Sequence, residues 1–263
     1  MPTFGSLFSG IGGMDLGLER AGWHVRWQVE IDEYCQRVLA KHWPDVPRYR
    51  DVREVGDELG QVDLIAGGFP CQPVANAGKR LAQQDERWLW PEFARIIRVV
   101  RPRYVLLENV PGLLARGFGD VLGDLAELGF DAEWSVLPAA AFGAPHLRWR
   151  VFVVAYSKGD RCEAGRTRGE QEAVGALVNR EPECRRAPLD NADCRRHRTP
   201  QSTIFPGWFC PQPESWWETE PDVGRVADGV PARVDRLRGL GNAVVPQVAE
   251  YLGRLILESG ERR

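Results

Sequence analysis

The stretch that most constrains this chain is Val62-Asp63-Leu64-Ile65-Ala66 running into Gly67-Gly68-Phe69-Pro70-Cys71-Gln72-Pro73. A short apolar run that stops at paired glycines reads as a buried strand closed by a turn that bulkier residues tolerate poorly. Cys71 then stands at the carboxyl end of a strand, the rim where ligands bind in open α/β sheets. A thiol held there between prolines is set to meet a substrate; the other use of a cysteine is as a small buried hydrophobe. Only a few per cent of a free thiol is thiolate at neutral pH, so catalysis there needs cationic or hydrogen-bonding help nearby.

The preceding residues supply a candidate cofactor site. Thr3 to Phe8 reads as a first strand, and Ser9-Gly10-Ile11-Gly12-Gly13 as a glycine-rich turn opening a helix from Met14 to Ala21. Such a turn brings backbone N–H groups and a helix N-terminus to a ligand. It is not the dinucleotide fingerprint, because Met14-Asp15 stands where that pattern needs its third glycine. A second strand, Val25 to Val29, stops at Glu30, with Ile31 and Asp32 behind it. A carboxylate at the end of strand two accepts from both hydroxyls of a ribose, which points to an adenosine-type ligand. Asp51, before Val52 at a third strand-like end, is a candidate acceptor for an adenine amine, or a solvated loop acid.

After Cys71, residues 74 to 87 are polar and without apolar periodicity, and read as a lid over the substrate. A helix follows from Trp88 to Val100, then a buried strand, Tyr104 to Leu107, ending in Glu108-Asn109-Val110. A carboxylate in a partly apolar mouth has its pKa raised, so Glu108 can hold a proton near neutral pH. Further on, His146-Leu147-Arg148-Trp149-Arg150 enters the apolar strand Val151 to Ala155. Arginines two apart on a strand share a face, where their guanidinium groups can grip a base carbonyl, a carboxylate or a phosphate.

Composition changes at Ser157. Clusters such as Arg185-Arg186 and Arg195-Arg196-His197-Arg198 are followed by Phe205, Trp208, Phe209, Trp216 and Trp217 among prolines. This is either a small recognition module whose aromatics stack on bases or a partly disordered insert. The net charge of −3 leaves no global basic field, so a nucleic-acid partner has to be held by a local patch. Six cysteines without a Cys-x-x-Cys pair fit reduced thiols, no metal and a cytoplasmic protein, and no apolar run suggests a membrane. Domain-like sequence returns with Gly241-Asn242-Ala243-Val244-Val245-Pro246 and a last amphipathic helix from about Gln247 to Leu257.

In this order the motifs resemble the DNA cytosine-5 methyltransferase family of bacteria and phages. Phe8-Ser9-Gly10-Ile11-Gly12-Gly13 is similar to its first cofactor motif, Glu30 and Asp51 to its ribose-binding and adenine-binding acids, and Gly68-Phe69-Pro70-Cys71-Gln72-Pro73 to its nucleophile loop. Glu108-Asn109-Val110 looks like the catalytic-acid motif and Gly241-Asn242-Ala243-Val244-Val245 like the final motif. His146-x-Arg148-x-Arg150 is similar to the family's Gln-x-Arg-x-Arg, with histidine for glutamine, and the usual elements ahead of Gly241 are absent.

The resemblance implies a Rossmann-like α/β sheet with helices on both faces. Residues 1–156 and 224–263 would form the catalytic, S-adenosylmethionine-binding domain, and 157–223 a small, irregular target-recognition region. It implies Cys71, Glu108, Arg148 and Arg150 as catalytic residues. Phe8, Gly10, Ile11, Gly12, Gly13, Glu30, Ile31, Asp51, Val52, Pro70, Asn242 and Val244 would hold the cofactor. The expected partner is double-stranded DNA, met by a monomer, with a cognate restriction endonuclease as a functional partner only. Methylation of transfer RNA by the same fold, a non-catalytic DNA-binding relative, a nicotinamide oxidoreductase and a cysteine hydrolase are the competing readings.

Overall fold

The structure is a computed structural model that describes residues 1–70, 88–157 and 233–261 of the chain. Seven strands form one sheet: β1 (Thr3–Leu7), β2 (His24–Val29), β3 (Arg48–Tyr49), β4 (Leu64–Gly67), β5 (Tyr104–Asn109), β6 (Phe130–Pro138) and β7 (Trp149–Ser157). Their order is β3-β2-β1-β4-β5-β7-β6. The first five are parallel, whereas β7 runs antiparallel to β5, and β6 antiparallel to β7. The strand order reverses between β1 and β4, and at such a switch point the carboxyl ends of the strands leave a crevice.

Central strands with both faces covered are mostly apolar, and β4 and β5 are buried along their whole length, with Glu108 and Asn109 as the polar end of β5. On one face Ile65, Val105, Leu107 and Val153 pack with Phe93, Ile96 and Ile97 of α3 (Trp90–Val100) and with Val121 and Leu125 of α4 (Phe118–Glu127). On the other, Phe4, Leu64, Leu106 and Val154 meet Leu18 of α1 (Gly13–Arg20), Leu39 of α2 (Glu33–His42) and Ala249, Leu252 and Ile256 of α6 (Pro246–Glu261). Small residues let α6 lie close on α1: a Cβ on Gly17 would stand 2.2 Å from the Pro246 carbonyl oxygen. Trp23 Nε1 donates to the Gly253 carbonyl, 3.0 Å away, across the same contact.

Two elements differ from the sequence expectation. β5 does not end at Leu107, because Glu108 and Asn109 pair with Phe152 and Val151 of the returning strand β7. A helix, α5 (Arg233–Asn242), also stands where charged residues and two glycines carry no helical periodicity. Residues 74 to 87, read as a lid, and residues 158 to 223 of the expected recognition region lie outside the described residues.

Candidate functional site

A cavity of about 280 Å³ opens at the carboxyl ends of β1, β2, β4 and β5, near the lower bound of ~300 Å³ for small-molecule pockets. Ser6 lines it from β1, Phe8 and Gly10 from the end of β1 and the glycine turn, Glu30, Ile31 and Asp32 from the end of β2, and Gly68 to Pro70 from the end of β4. Glu108 and Asn109 of β5, Arg148 and Arg150, and Asn242 to Val244 complete the wall.

The glycine turn is built for close approach. Gly12 is the N-cap of α1 in the left-handed region, at φ 81°, a conformation that costs glycine little. A Cβ on Gly13 would lie 2.3 Å from the Val244 carbonyl oxygen, so only glycine lets the segment between α5 and α6 reach the turn. Arg148 Nη2 fastens the same segment by donating to the Ala243 carbonyl, 2.8 Å away. Phe8 (φ 53°) and Arg148 (φ 39°) hold positive φ without being glycine, and both face the cavity. Such conformations are uncommon and gather at functional sites.

Both oxygens of Glu30 are anchored before any ligand enters. The Gly10 amide donates to one at 2.7 Å and the Asp32 amide to the other at 2.8 Å, which fixes the carboxylate while each oxygen keeps a lone pair for a hydroxyl. Burial pushes its pKa up against these bonds. Ile31, beside it, is 54% exposed and offers an apolar surface to a flat ring.

Glu108 is 9% exposed, and Arg150 Nε lies 3.0 Å from its Oε1. Burial raises its pKa although Arg150 and Arg148 oppose the rise, so the carboxyl holds its proton more readily than in water. A Cβ on Gly68 would come within 2.6 Å of Glu108 Oε2 and 3.0 Å of the Glu108 backbone oxygen; glycine lets the β4 turn lie against the acid. Asn109 Nδ2 donates to the Phe69 carbonyl at 3.1 Å and ties that turn to β5. Cys71, two residues on, lies outside the described residues.

Of the residues singled out from sequence, Phe8, Gly10, Glu30, Ile31, Pro70, Glu108, Arg148, Arg150, Asn242 and Val244 line this one cavity. Ile11, Gly12, Gly13, Asp51 and Val52 do not. The Asp51 carboxylate instead pairs with Arg53, Nη2 to Oδ2 at 2.7 Å, and Arg53 holds its pKa below the usual value. Sequence reasoning passed over Ser6, Met14, Cys35 and Asp235, which also line the wall. Spacing alone does not distinguish them from core or surface positions. Among the described residues no group of three or more His, Cys, Asp or Glu could hold a metal ion, and no helix is long and apolar enough to cross a membrane.

Comparison with known proteins gives the same direction. Type II methyltransferase M.NgoMIV of Neisseria gonorrhoeae is 40% identical over 153 residues, which cover 56% of this chain and 49% of that protein. Type II methyltransferase M.NaeI of Lentzea aerocolonigenes is 40% identical over 157 residues, covering 56% of this chain and 38% of that one. The chain thus spans about half, or less, of the length of these curated relatives. The Entamoeba histolytica methyltransferase EhMeth superposes with a TM-score of 0.63 over 98% of both chains at 14% identity, a likeness of fold. The family model of C-5 cytosine-specific DNA methylases matches residues 2–190, well over half of the sequence, and this protein therefore belongs to that family.

Proposed function

We propose that this chain transfers a methyl group from S-adenosylmethionine to carbon 5 of a cytosine in a specific double-stranded DNA sequence, through a covalent adduct with Cys71. The observation that carries the reading is the Glu108–Arg150 pair, 3.0 Å apart, opening into the cavity that also holds the anchored Glu30. A proton-holding acid and a diol-binding acid in one cavity suit a nucleoside cofactor beside a heterocyclic base.

The residues present fit S-adenosylmethionine. Glu30 would accept from the ribose hydroxyls, Ile31 would cover the adenine, and Phe8, Gly10, Asn242 and Val244 would close around the rest. Bound there, the cofactor supplies an electrophilic methyl group on a positively charged sulfur.

A cytosine in a duplex hides carbons 5 and 6, so the base has to leave the stack, at a cost of a few kcal/mol offset by contacts in the pocket. The Cys71 thiolate then forms a bond to carbon 6, and the ring's displaced electron pair is neutralised by the Glu108 proton at N3. Arg150 and Arg148 orient the acid and the base. Carbon 5, made nucleophilic, takes the methyl group. It then gives up its proton to solvent, the returning electron pair expels Cys71 as the carbon 5–carbon 6 double bond re-forms, and N3 returns its proton to Glu108. The chain acts as a monomer in this reading, with residues 157–223 reading the DNA sequence and residues 1–156 and 224–263 carrying the chemistry.

Bisulfite sequencing of plasmid DNA from cells that express the chain tests the proposal beside a Cys71→Ala control. Protected cytosines in one short sequence context, absent from the control, are expected. Full protection in the control sinks the adduct, and no protection in either moves the substrate to transfer RNA, which is assayed next.

A further inference from the structure

Beneath the cavity lies a carboxylate with no part in this chemistry. Asp15, in the first turn of α1, is 0% exposed. Ser6 Oγ of β1 donates to its Oδ1 at 2.6 Å, and Gln28 Nε2 of β2 donates to its Oδ2 at 2.7 Å. Ser6 and Gln28 are themselves 1% and 0% exposed. Among the described residues Asp15 has no ion-pair partner, and the charged group that acts on it, Glu19, repels it. A buried charge without a partner is costly, and it is found where something else compensates it.

Hydrogen bonding alone does not require the charge. Gln28 Oε1 is buried and has no hydrogen-bond partner. With the Gln28 amide turned over, an asparagine at position 15 would donate to that oxygen and still accept from Ser6. The negative charge is thus the one property of Asp15 that this packing could dispense with. Its neighbours show where the charge is felt: Ser6, which bonds to it, and Met14, next in the chain, both line the cavity. A field that crosses packed protein is screened less than one that crosses water.

We propose that Asp15 is a fixed counter-charge under the cofactor cavity, a specificity determinant that favours the cationic sulfonium form of the nucleoside over the neutral thioether left after transfer. The inference rests on the reading of the cavity as an S-adenosylmethionine site. Glu30, Asp32, Asp235 and Glu108 also line the cavity, against Arg148 and Arg150. Glu30 and Glu108 are committed to backbone amides and to Arg150 respectively, whereas Asp15 carries its charge without either. The selectivity favours release of the spent cofactor, since S-adenosylhomocysteine lacks the charge that Asp15 attracts.

The test is calorimetric titration of the full chain and of Asp15→Asn at pH 8 with S-adenosylmethionine and with S-adenosylhomocysteine. The variant should lose about 5- to 20-fold in affinity for S-adenosylmethionine, the order expected for one charge acting on another through packed protein at an effective dielectric constant of ~20. Its affinity for S-adenosylhomocysteine should change less than about twofold. Equal losses for both ligands, or an unchanged ratio of the two Kd values, would mean that Asp15 is a packing residue and overturn the proposal. If Asp15→Asn does not fold, Asp15→Ser is read by the same ratio. A native chain that binds neither ligand refutes the cofactor reading and this inference together; one that binds both with a ratio indifferent to the substitution refutes this inference alone.

Discussion

The buried Asp15 makes the stability of the fold depend on pH in a way that one substitution removes. Burial lifts its pKa from the usual 3.8 to about 6, against the lowering effect of the Ser6 and Gln28 hydrogen bonds and with a small push from Glu19. Because the folded value lies above the unfolded one, the native state binds the proton more tightly. The resulting stabilisation is complete below pH 3.8 and is lost as the pH rises through about 6. At ~1.36 kcal/mol per pH unit the full effect is ~3 kcal/mol, of which ~1.4 kcal/mol disappears between pH 5 and pH 8. Asp15→Asn cannot titrate. Relative to the native chain, the variant should therefore gain ~1.4 kcal/mol between pH 5 and pH 8, whatever constant cost or benefit the amide carries. Urea unfolding of both proteins at the two pH values measures the difference, and slopes that match confirm that the same surface is exposed. Equal differences at pH 5 and pH 8 would show that Asp15 does not titrate in this range and refute the reasoning.

Two further outcomes follow from close contacts around the cavity. In Gly13→Ala the new Cβ meets the Val244 backbone oxygen at 2.3 Å, so α1 and the segment before α6 have to part. A destabilisation of ~1–3 kcal/mol is expected, with weaker S-adenosylmethionine binding; unchanged melting and affinity would remove the close-approach argument. Glu108, with its pKa raised by burial, should lose its proton as the pH rises and so set the alkaline limb of the methyl-transfer rate. Glu108→Gln should lower kcat by roughly 10²–10⁴-fold with cofactor affinity intact, and a variant that keeps both its rate and the alkaline limb would exclude Glu108 as the proton holder.

Much of the fold was legible because its signals are local. Val62 to Ala66 followed by two glycines marks β4, and apolar spacing between Trp88 and Val100 marks α3. The glycine turn, Glu30 and Glu108 were found for the same reason: each closes a strand, and strand ends in a parallel sheet converge on one rim. α5 escaped notice because Gly239, Gly241 and its charged residues hide a helix that the surrounding structure holds. Asp51 was read as an acceptor for an adenine amine or a solvated loop acid; its pairing with Arg53, two residues on, carries no signal in the sequence.

Residue type and period thus marked by themselves the strands and helices, the glycine turn, two acids at strand ends and a cysteine after an apolar strand, because these signals depend on neighbours close in sequence; the helix-covered sheet that joins them was implied by the family resemblance. What only the tertiary structure decided is the state of those acids. Glu108 remains within β5 because β7 returns to pair with it, and Arg150 reaches it from that strand. Asp15 is an ordinary helical aspartate in the sequence and a buried charge in the fold, since Ser6 and Gln28 reach it from two strands. Burial and electrostatic environment are set by groups distant along the chain, and they come together only when the sheet and its helices have packed.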